Sequence, residues 1–348
     1  PPRSTLFPYT TLFRSGERLV RGAIRLRLAL GGVVLGAQLL LVVLLGDAGE
    51  AWLVAATLHL PAQAFGALQT PFLLRGRPLP LVGARFGGLL LSLAGTALLR
   101  IAGTEGPGAY LGVQALGWLL YFWLLWRRAG IPLRGEAAAA REVLPESVLL
   151  GLGSFVRGLY FHGGQLLVRL LAPAELARFA VPYRVFQVAL LVPQSLGDLL
   201  LGPLTRLNGS DPCAASAEVR GLGWRLFLLG LLTAGAGALL AGPVLALVGG
   251  GVYARSAPVL GVLLLAVPLV HAASVLLTAA LAGGRLLEAL LLSLAGLAAA
   301  VLFGLALIPG GGAAGAAWAA VATEALVLAG AAWLVRLDSA KTQTEAGR

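Results

Sequence analysis

The chain has 348 residues, of which 58% are apolar and only 12% charged, with a formal net charge of +11. A soluble domain carries about 25% charged residues, so this composition excludes a water-soluble globular surface. The basic excess does not mark a nucleic-acid binder, because the charges sit in short loops between apolar runs rather than in a patch or tail. The single cysteine, Cys213, excludes a disulfide framework or a cysteine metal site.

At the start of the chain, residues 5–15 read TLFPYTTLFRS, which resembles the translation of a sequencing adapter. Residues 1–15 are therefore set apart from the fold. The chain contains no Met, so natural sequence is expected to begin near Gly16, after loss of the true N-terminus.

From there the apolar runs predict ten membrane-spanning helices, at residues 24–45, 52–73, 81–99, 108–126, 148–170, 179–201, 226–248, 259–281, 286–308 and 313–335. Each is long enough to cross a hydrocarbon layer of roughly 30 Å. Backbone polar groups in lipid must be satisfied within the segment, which makes such runs helices. Pro61 and Pro71 interrupt the second run, and Arg184 and Asp198 fall inside the sixth. Pro61, Pro71, Pro193 and Pro268 are expected to bend their helices. The 48 glycines suit close helix packing in a membrane.

Basic residues alternate by side. Eighteen fall on one set of loops and flanks, within residues 18–27, 75–85, 127–141, 206–225, 285 and 336–348, whereas the other set holds only Arg100 and Arg255. The positive-inside rule puts the rich side, and both chain ends, in the cytoplasm. The outer loops, such as residues 46–50 and 172–175, are very short, so no external domain is expected.

The chain also repeats. A shift of 208 residues carries Thr70 onto Thr278, Gly76-Arg77 onto Gly284-Arg285, Gly88 onto Gly296, Tyr110 onto Trp318 and Arg128 onto Arg336. A shift of 199 carries Arg21-Gly22 onto Arg220-Gly221. The two copies have the same orientation, and parallel repeats of this kind are a transporter signature. Spans five and six have no upstream partner, which predicts two helices lost before Gly16. The fold class expected is thus all-α and polytopic: about ten of twelve helices in two six-helix bundles related by a parallel repeat, N-terminally truncated. Residues 16–128 would form the rest of the first bundle, 129–147 a cytoplasmic linker with an interfacial helix, 148–336 the second bundle and 337–348 a cytoplasmic tail.

The second half carries a further set of motifs: GLYFHGGQLLVRLL at residues 158–171, AELARFAVPYRVFQ at 174–187, Gly202-Pro203-Leu204, VYARSAPVL at 252–260, ALAGGR at 280–285 and Thr323-Glu324. This series resembles the polysaccharide-export flippase group of the multidrug/oligosaccharidyl-lipid/polysaccharide exporter superfamily. The resemblance runs from about Gly16 to Arg336 and is clearest from Val148 onward. It departs where the group often carries Arg-x-Asp and this chain has His162-Gly163-Gly164, and where Ala177 and Phe179 replace an expected Gly and Tyr. The resemblance implies a central cavity that opens alternately to either side. It also implies export of an undecaprenyl-diphosphate-linked oligosaccharide across the plasma (inner) membrane for surface polysaccharide, with no cofactor or metal.

Charges inside the spans mark the candidate site, since an ionised side chain at mid-bilayer costs about 2.5–3.5 kcal/mol on insertion scales. In the fifth span these are Arg157, His162, Gln165 and Arg169, the last three sharing a face; in the sixth, Arg184, Gln187, Gln194 and Asp198 form a stripe. Arg157 and Arg184 suit a lipid diphosphate, because a guanidinium stays protonated and its planar fork matches phosphate oxygens. The competing expectation is that Arg184 pairs with a carboxylate and that Arg169 and Arg178 snorkel to the outer interface.

Asp198, His271 and Glu324 are candidates for proton or ion coupling, and His59 also lies in a span. Interhelical hydrogen bonding is the plainer role for all of these, and Gln63 and His271 occupy matched repeat positions. A cation-coupled antiporter for drugs or other small molecules, in the same superfamily, is the alternative; Arg-lined walls favour the flippase. An enzyme is not expected, because the loops hold no metal-binding cluster, P-loop or nucleophile motif.

Overall fold

The computed structural model describes residues 79–104, 107–129 and 137–346, with Gln69 and Phe72 before them. The adapter-like segment, the two spans expected at 24–45 and 52–73, His59, Gln63, Pro61 and Pro71 lie outside the described residues. Among the described residues the chain is helical throughout and contains no strand. Five of its helical stretches are long and apolar enough to cross a membrane. The chain divides into two compact units, Pro1–Ser147 and Val148–Arg348.

In the first unit, α1 (Leu79–Ile101) and α2 (Pro107–Ala129) form an antiparallel hairpin. Its seam is built from glycine. A Cβ on Gly88 would sit 2.5 Å from the Gly117 carbonyl oxygen, one on Gly117 2.0 Å from Ser92 Oγ, and one on Gly95 2.4 Å from Val113 Cγ1. Small residues let membrane helices approach until their backbones touch, which replaces the hydrophobic drive that lipid cannot supply. Gly103 turns the chain between them with φ +70°, a conformation glycine adopts without strain. At the far end Arg128 donates to the Pro80 carbonyl, at 3.2 Å.

α3 (Ala137–Leu171) is continuous from the expected interfacial helix into the fifth span, and its residues from Val148 onward open the second unit. After a short 3-10 turn, Pro173–Glu175, follow α4 (Leu176–Ala189), α5 (Leu191–Ser210), α6 (Pro212–Leu239) and α7 (Ala241–Gly249). A second 3-10 turn, Gly251–Ser256, leads to α8 (Ala257–Leu264), α9 (Ala266–Ala282) and α10 (Leu286–Ala346).

The pairs α4–α5, α6–α7 and α8–α9 are each one apolar run split in two, and the splits share one cause. They fall at Leu190, Leu240 and Leu265, and a proline stands three residues later each time: Pro193, Pro243 and Pro268. Proline lacks the N–H that would bond the carbonyl four residues back, and its ring crowds that carbonyl. The helix therefore ends at Ala189, Leu239 and Leu264. At Leu190 and Leu265 the last turn tightens, with N–H bonds to Gln187 and Val262 at 3.2 and 3.0 Å. Bends at Pro193 and Pro268 were expected from sequence, whereas the break before Pro243 was not.

α10 is two helical arms joined at Gly312, whose φ of 54° and ψ of −131° break the helix. The arms fold back on each other. Gly296 meets Val327, Gly330 meets Leu292, and a Cβ on Gly315 would strike the Leu307 carbonyl. The run Pro309-Gly310-Gly311-Gly312 supplies the turn. At the open end Arg285 donates to the Leu334 carbonyl, at 2.5 Å, and pairs with Glu288 at 3.2 Å.

The core of this unit is apolar and aromatic. Phe179, Phe186 and Leu190 pack with Leu245, Leu260, Leu263 and Ile308, all essentially inaccessible. α9 is the most enclosed helix. Its Pro268 and His271 lie against Gly230 of α6, where a Cβ would come within 2.6 Å of Pro268 Cα.

Candidate functional site

α3 and α4 run antiparallel. Gly164 leaves room for the Phe179 ring, and the Tyr183 hydroxyl donates to the Phe161 carbonyl. This register sets the face of α3 that looks into the unit, and it comprises Tyr160, Phe161, Gly164 and Leu167. Against that face stand Ala300 and Gly304 of the first arm of α10, and Ala319, Ala320, Thr323 and Glu324 of the second. Their small side chains leave a cavity between α3, α4 and the α10 hairpin. The aromatic rings of Tyr183 and Phe186 close one side of it.

Glu324 is the chemical centre of this cavity. It is 4% exposed, and no carboxylate–cation pair involving it appears among the described residues. Tyr160 lines the same cavity, and both it and Arg157, one turn earlier on α3, lie within electrostatic reach of the carboxyl. The Tyr183 hydroxyl is also within electrostatic reach of the carboxyl. Thr323 bonds back to the Ala319 carbonyl at 2.8 Å. A buried carboxyl is costly to ionise without a partner, and inside a membrane such groups face a cavity or another ionisable group.

Arg157 is half-buried, and it makes no hydrogen bond or ion pair with another described residue. Arg184 on α4 is exposed and likewise has no such partner among the described residues; the expected carboxylate pairing does not form there. His162 and Arg169 are exposed on α3 with Leu159 and Leu166, and Gln165 and Gln187 are half-buried. Asp198 lies in α5, and its side chain is outside the described residues. Arg178 pairs with Glu175 at 2.9 Å. The structure thus brings Tyr160 and Glu324 to one cavity, with Arg157 one turn from Tyr160 on α3. His271 is not among the residues lining that cavity. It is 1% exposed, its Nδ1 is 2.9 Å from the Val267 carbonyl, and its ring packs on Gly230.

Tyr160 and Tyr183 were not singled out in the sequence, and Thr323 only as part of the Thr323-Glu324 motif, with no site role. Tyr160 had a signal, since it stands three residues after Arg157 and so shares its side of the helix. Tyr183 and Thr323 had none, because nothing local says which carbonyl or carboxyl a buried hydroxyl will meet.

No family model and no curated protein matches the sequence. Among solved structures, the chain is similar to an outward-facing conformation of a multidrug resistance MATE family transporter of the MOP superfamily. The TM-score is 0.75 at 14% identity, over 94% of this chain and 80% of that one. The chain therefore has the fold of a MATE-type multi-pass membrane protein.

Proposed function

We propose that this chain is a membrane transporter that moves a lipid-linked oligosaccharide of the undecaprenyl-diphosphate type to the outer leaflet by alternating access. The observation that carries the reading is Arg157. It is a half-buried arginine on α3, one turn before Tyr160 of the cavity that holds a buried carboxyl, with no hydrogen bond or ion pair to a described residue. A cation without a hydrogen-bond or ion-pair partner among the described residues suits an anionic ligand, and its donor fork suits phosphate oxygens. Arg184, exposed one helix away, would add a second contact, with His162, Gln165 and Gln187 lining the same route. The MATE-type fold supports a transporter as the general class, and Glu324 is the best-housed candidate for ion coupling.

The two-bundle reading rests on the repeat, and the hairpins support it. α1–α2 and the arms of α10 are both antiparallel, and each has a glycine at its seam. Those glycines, Gly88 and Gly296, occupy matched positions. Their turns lie at Gly103 and Gly312, again about one repeat apart. The protein would sit in the plasma membrane with both ends of this chain cytoplasmic.

The test introduces the gene into a strain lacking its polysaccharide flippase. Restored surface polysaccharide, lost on Arg157→Ala or Arg184→Ala, is the expected result. Full activity in both variants would remove the site assignment. No restoration of polysaccharide, with resistance to cationic drugs gained instead, would favour an antiporter.

A further inference from the structure

The open end of the α1–α2 hairpin carries cations that no described carboxylate neutralises. Arg127 and Arg128 lie in the last turn of α2, and Arg85 lies in the second turn of α1. All three are exposed, and none makes an ion pair with another described residue. Neither helix contains an acidic residue. By contrast, Arg178 and Arg285 each pair with a glutamate three residues away. The two guanidinium groups of α2 are also held in place. Arg127 Cζ lies 5.5 Å from the centroid of the Trp123 ring, a cation–π contact that fixes the guanidinium while its N–H donors stay available. Arg128 donates to the Pro80 carbonyl at 3.2 Å, which uses one of its five donors, and its Nη1 faces Gly83.

The face that ends in Arg127 is continuous. Leu116, Leu119, Trp123 and Arg127 follow at spacings of three or four residues and so share one side of α2; all four are exposed. Read toward the open end, this side is apolar, then aromatic, then cationic. A phospholipid has the same order from acyl chain to phosphate, and tryptophan favours the boundary between the two. We propose that the open end of the hairpin binds one anionic phospholipid of the surrounding bilayer, with its phosphate on Arg127 and Arg128 and an acyl chain along Leu119 and Leu116. A guanidinium fork matches phosphate oxygens, and an anionic headgroup supplies the charge that the hairpin lacks. A soluble phosphate would use the arginines alone and leave the apolar stripe uncovered. On the orientation proposed above, the lipid belongs to the cytoplasmic leaflet; the site itself does not rest on the transport reading.

In the test, the chain purified in nonionic detergent is titrated with phosphatidylglycerol or phosphatidylcholine, and bound lipid is counted by native mass spectrometry. Phosphatidylglycerol should fill its first site more tightly than phosphatidylcholine does, and this preference should shrink as ionic strength rises. Arg127→Gln and Arg128→Gln should each weaken that first site about fivefold, the factor for one basic residue near an anionic membrane surface, and leave phosphatidylcholine binding unchanged. Trp123→Leu keeps the charge but removes the ring that holds Arg127, and should weaken phosphatidylglycerol as well. Arg100→Gln removes the same charge from the opposite end of α1 and should change neither lipid.

Equal affinity of the wild-type chain for the two lipids would overturn the proposal by itself, and that comparison needs no variant to fold. A loss in Arg100→Gln as large as in Arg127→Gln would show a response to net charge rather than a site, and would also overturn it. Displacement of phosphatidylglycerol by millimolar glycerol phosphate would make the ligand a soluble anion and sink the lipid assignment. No displacement, with the losses confined to Arg127→Gln, Arg128→Gln and Trp123→Leu, is the expected result.

Discussion

Replacing Gly230 with Ala tests the packing that holds the second unit together. The new Cβ would lie 2.6 Å from Pro268 Cα, 3.0 Å from Pro268 N and 3.2 Å from His271 Cγ. Two of these atoms are backbone, on the most enclosed helix of the bundle, so neither can swing aside. Relief to an ordinary contact requires α6 and α9 to part by about an ångström, and forced overpacking of this kind costs about 1–3 kcal/mol. Alanine also gains about 1 kcal/mol of helix propensity over glycine in water, which would mask part of the cost. Gly235→Ala removes that ambiguity, because Gly235 lies on the same helix with nothing within 4 Å of its would-be Cβ. The difference between the two variants isolates the clash. For a unit of this size, 1 kcal/mol moves Tm by about 2–4 °C, so Gly230→Ala should melt about 2–12 °C below Gly235→Ala. Intrinsic tryptophan fluorescence in detergent measures it. Equal melting, or a higher Tm for Gly230→Ala, would refute the close α6–α9 contact.

Other outcomes follow from the same geometry. Gly117→Ala sets a Cβ 2.6 Å from the Gly88 carbonyl and should spread the α1–α2 hairpin; faster trypsin cleavage at its open end, by Arg127 and Arg128, would report this. Gly312→Ala forces a Cβ into a positive-φ turn, 3.0 Å from Glu175 Cγ, and should cost at least 1 kcal/mol, read as a lower Tm. Pro243→Ala restores the N–H that the Leu239 carbonyl lacks and should let α6 and α7 fuse, with slower amide exchange at residues 240–242. Tyr183→Phe removes the donor to Phe161 and should lower Tm by an amount in keeping with about 1 kcal/mol.

How much of this was legible in the sequence depended on whether the cause was local. Helix placement followed from apolar run length: the residues of the expected spans from 81–99 onward are helical, and five helical stretches among the described residues are long and apolar enough to cross a membrane. Proline breaks are local as well, and the rule that found Pro193 and Pro268 applies unchanged to Pro243, which was passed over inside a strongly apolar run. The turn at Pro309–Gly312 announced itself by composition. The cavity around Glu324 was not legible. Its shape depends on Ala300, Gly304, Ala319 and Ala320 standing opposite Tyr160, and that pairing is set by the register of α3 against the α10 hairpin. Screening the spans for charge found Arg157 and Glu324 separately, but they stand 167 positions apart in the chain. His271 shows the converse. As an isolated histidine in a span it suggested proton coupling, yet its ring nitrogen is beside a carbonyl of its own helix and its face lies on a glycine.

The central claim is that guanidinium groups in the fifth and sixth spans carry an anionic lipid headgroup across the membrane. It is tested most directly by reconstituting the chain in liposomes that contain a fluorescent polyprenyl diphosphate. A membrane-impermeant quencher then follows movement of the probe between leaflets. The account predicts rapid movement with the wild-type chain, at least about tenfold slower with Arg157→Ala, as expected from losing a charge-assisted hydrogen bond. Movement no faster than in protein-free liposomes, or unchanged in Arg157→Ala, would contradict it.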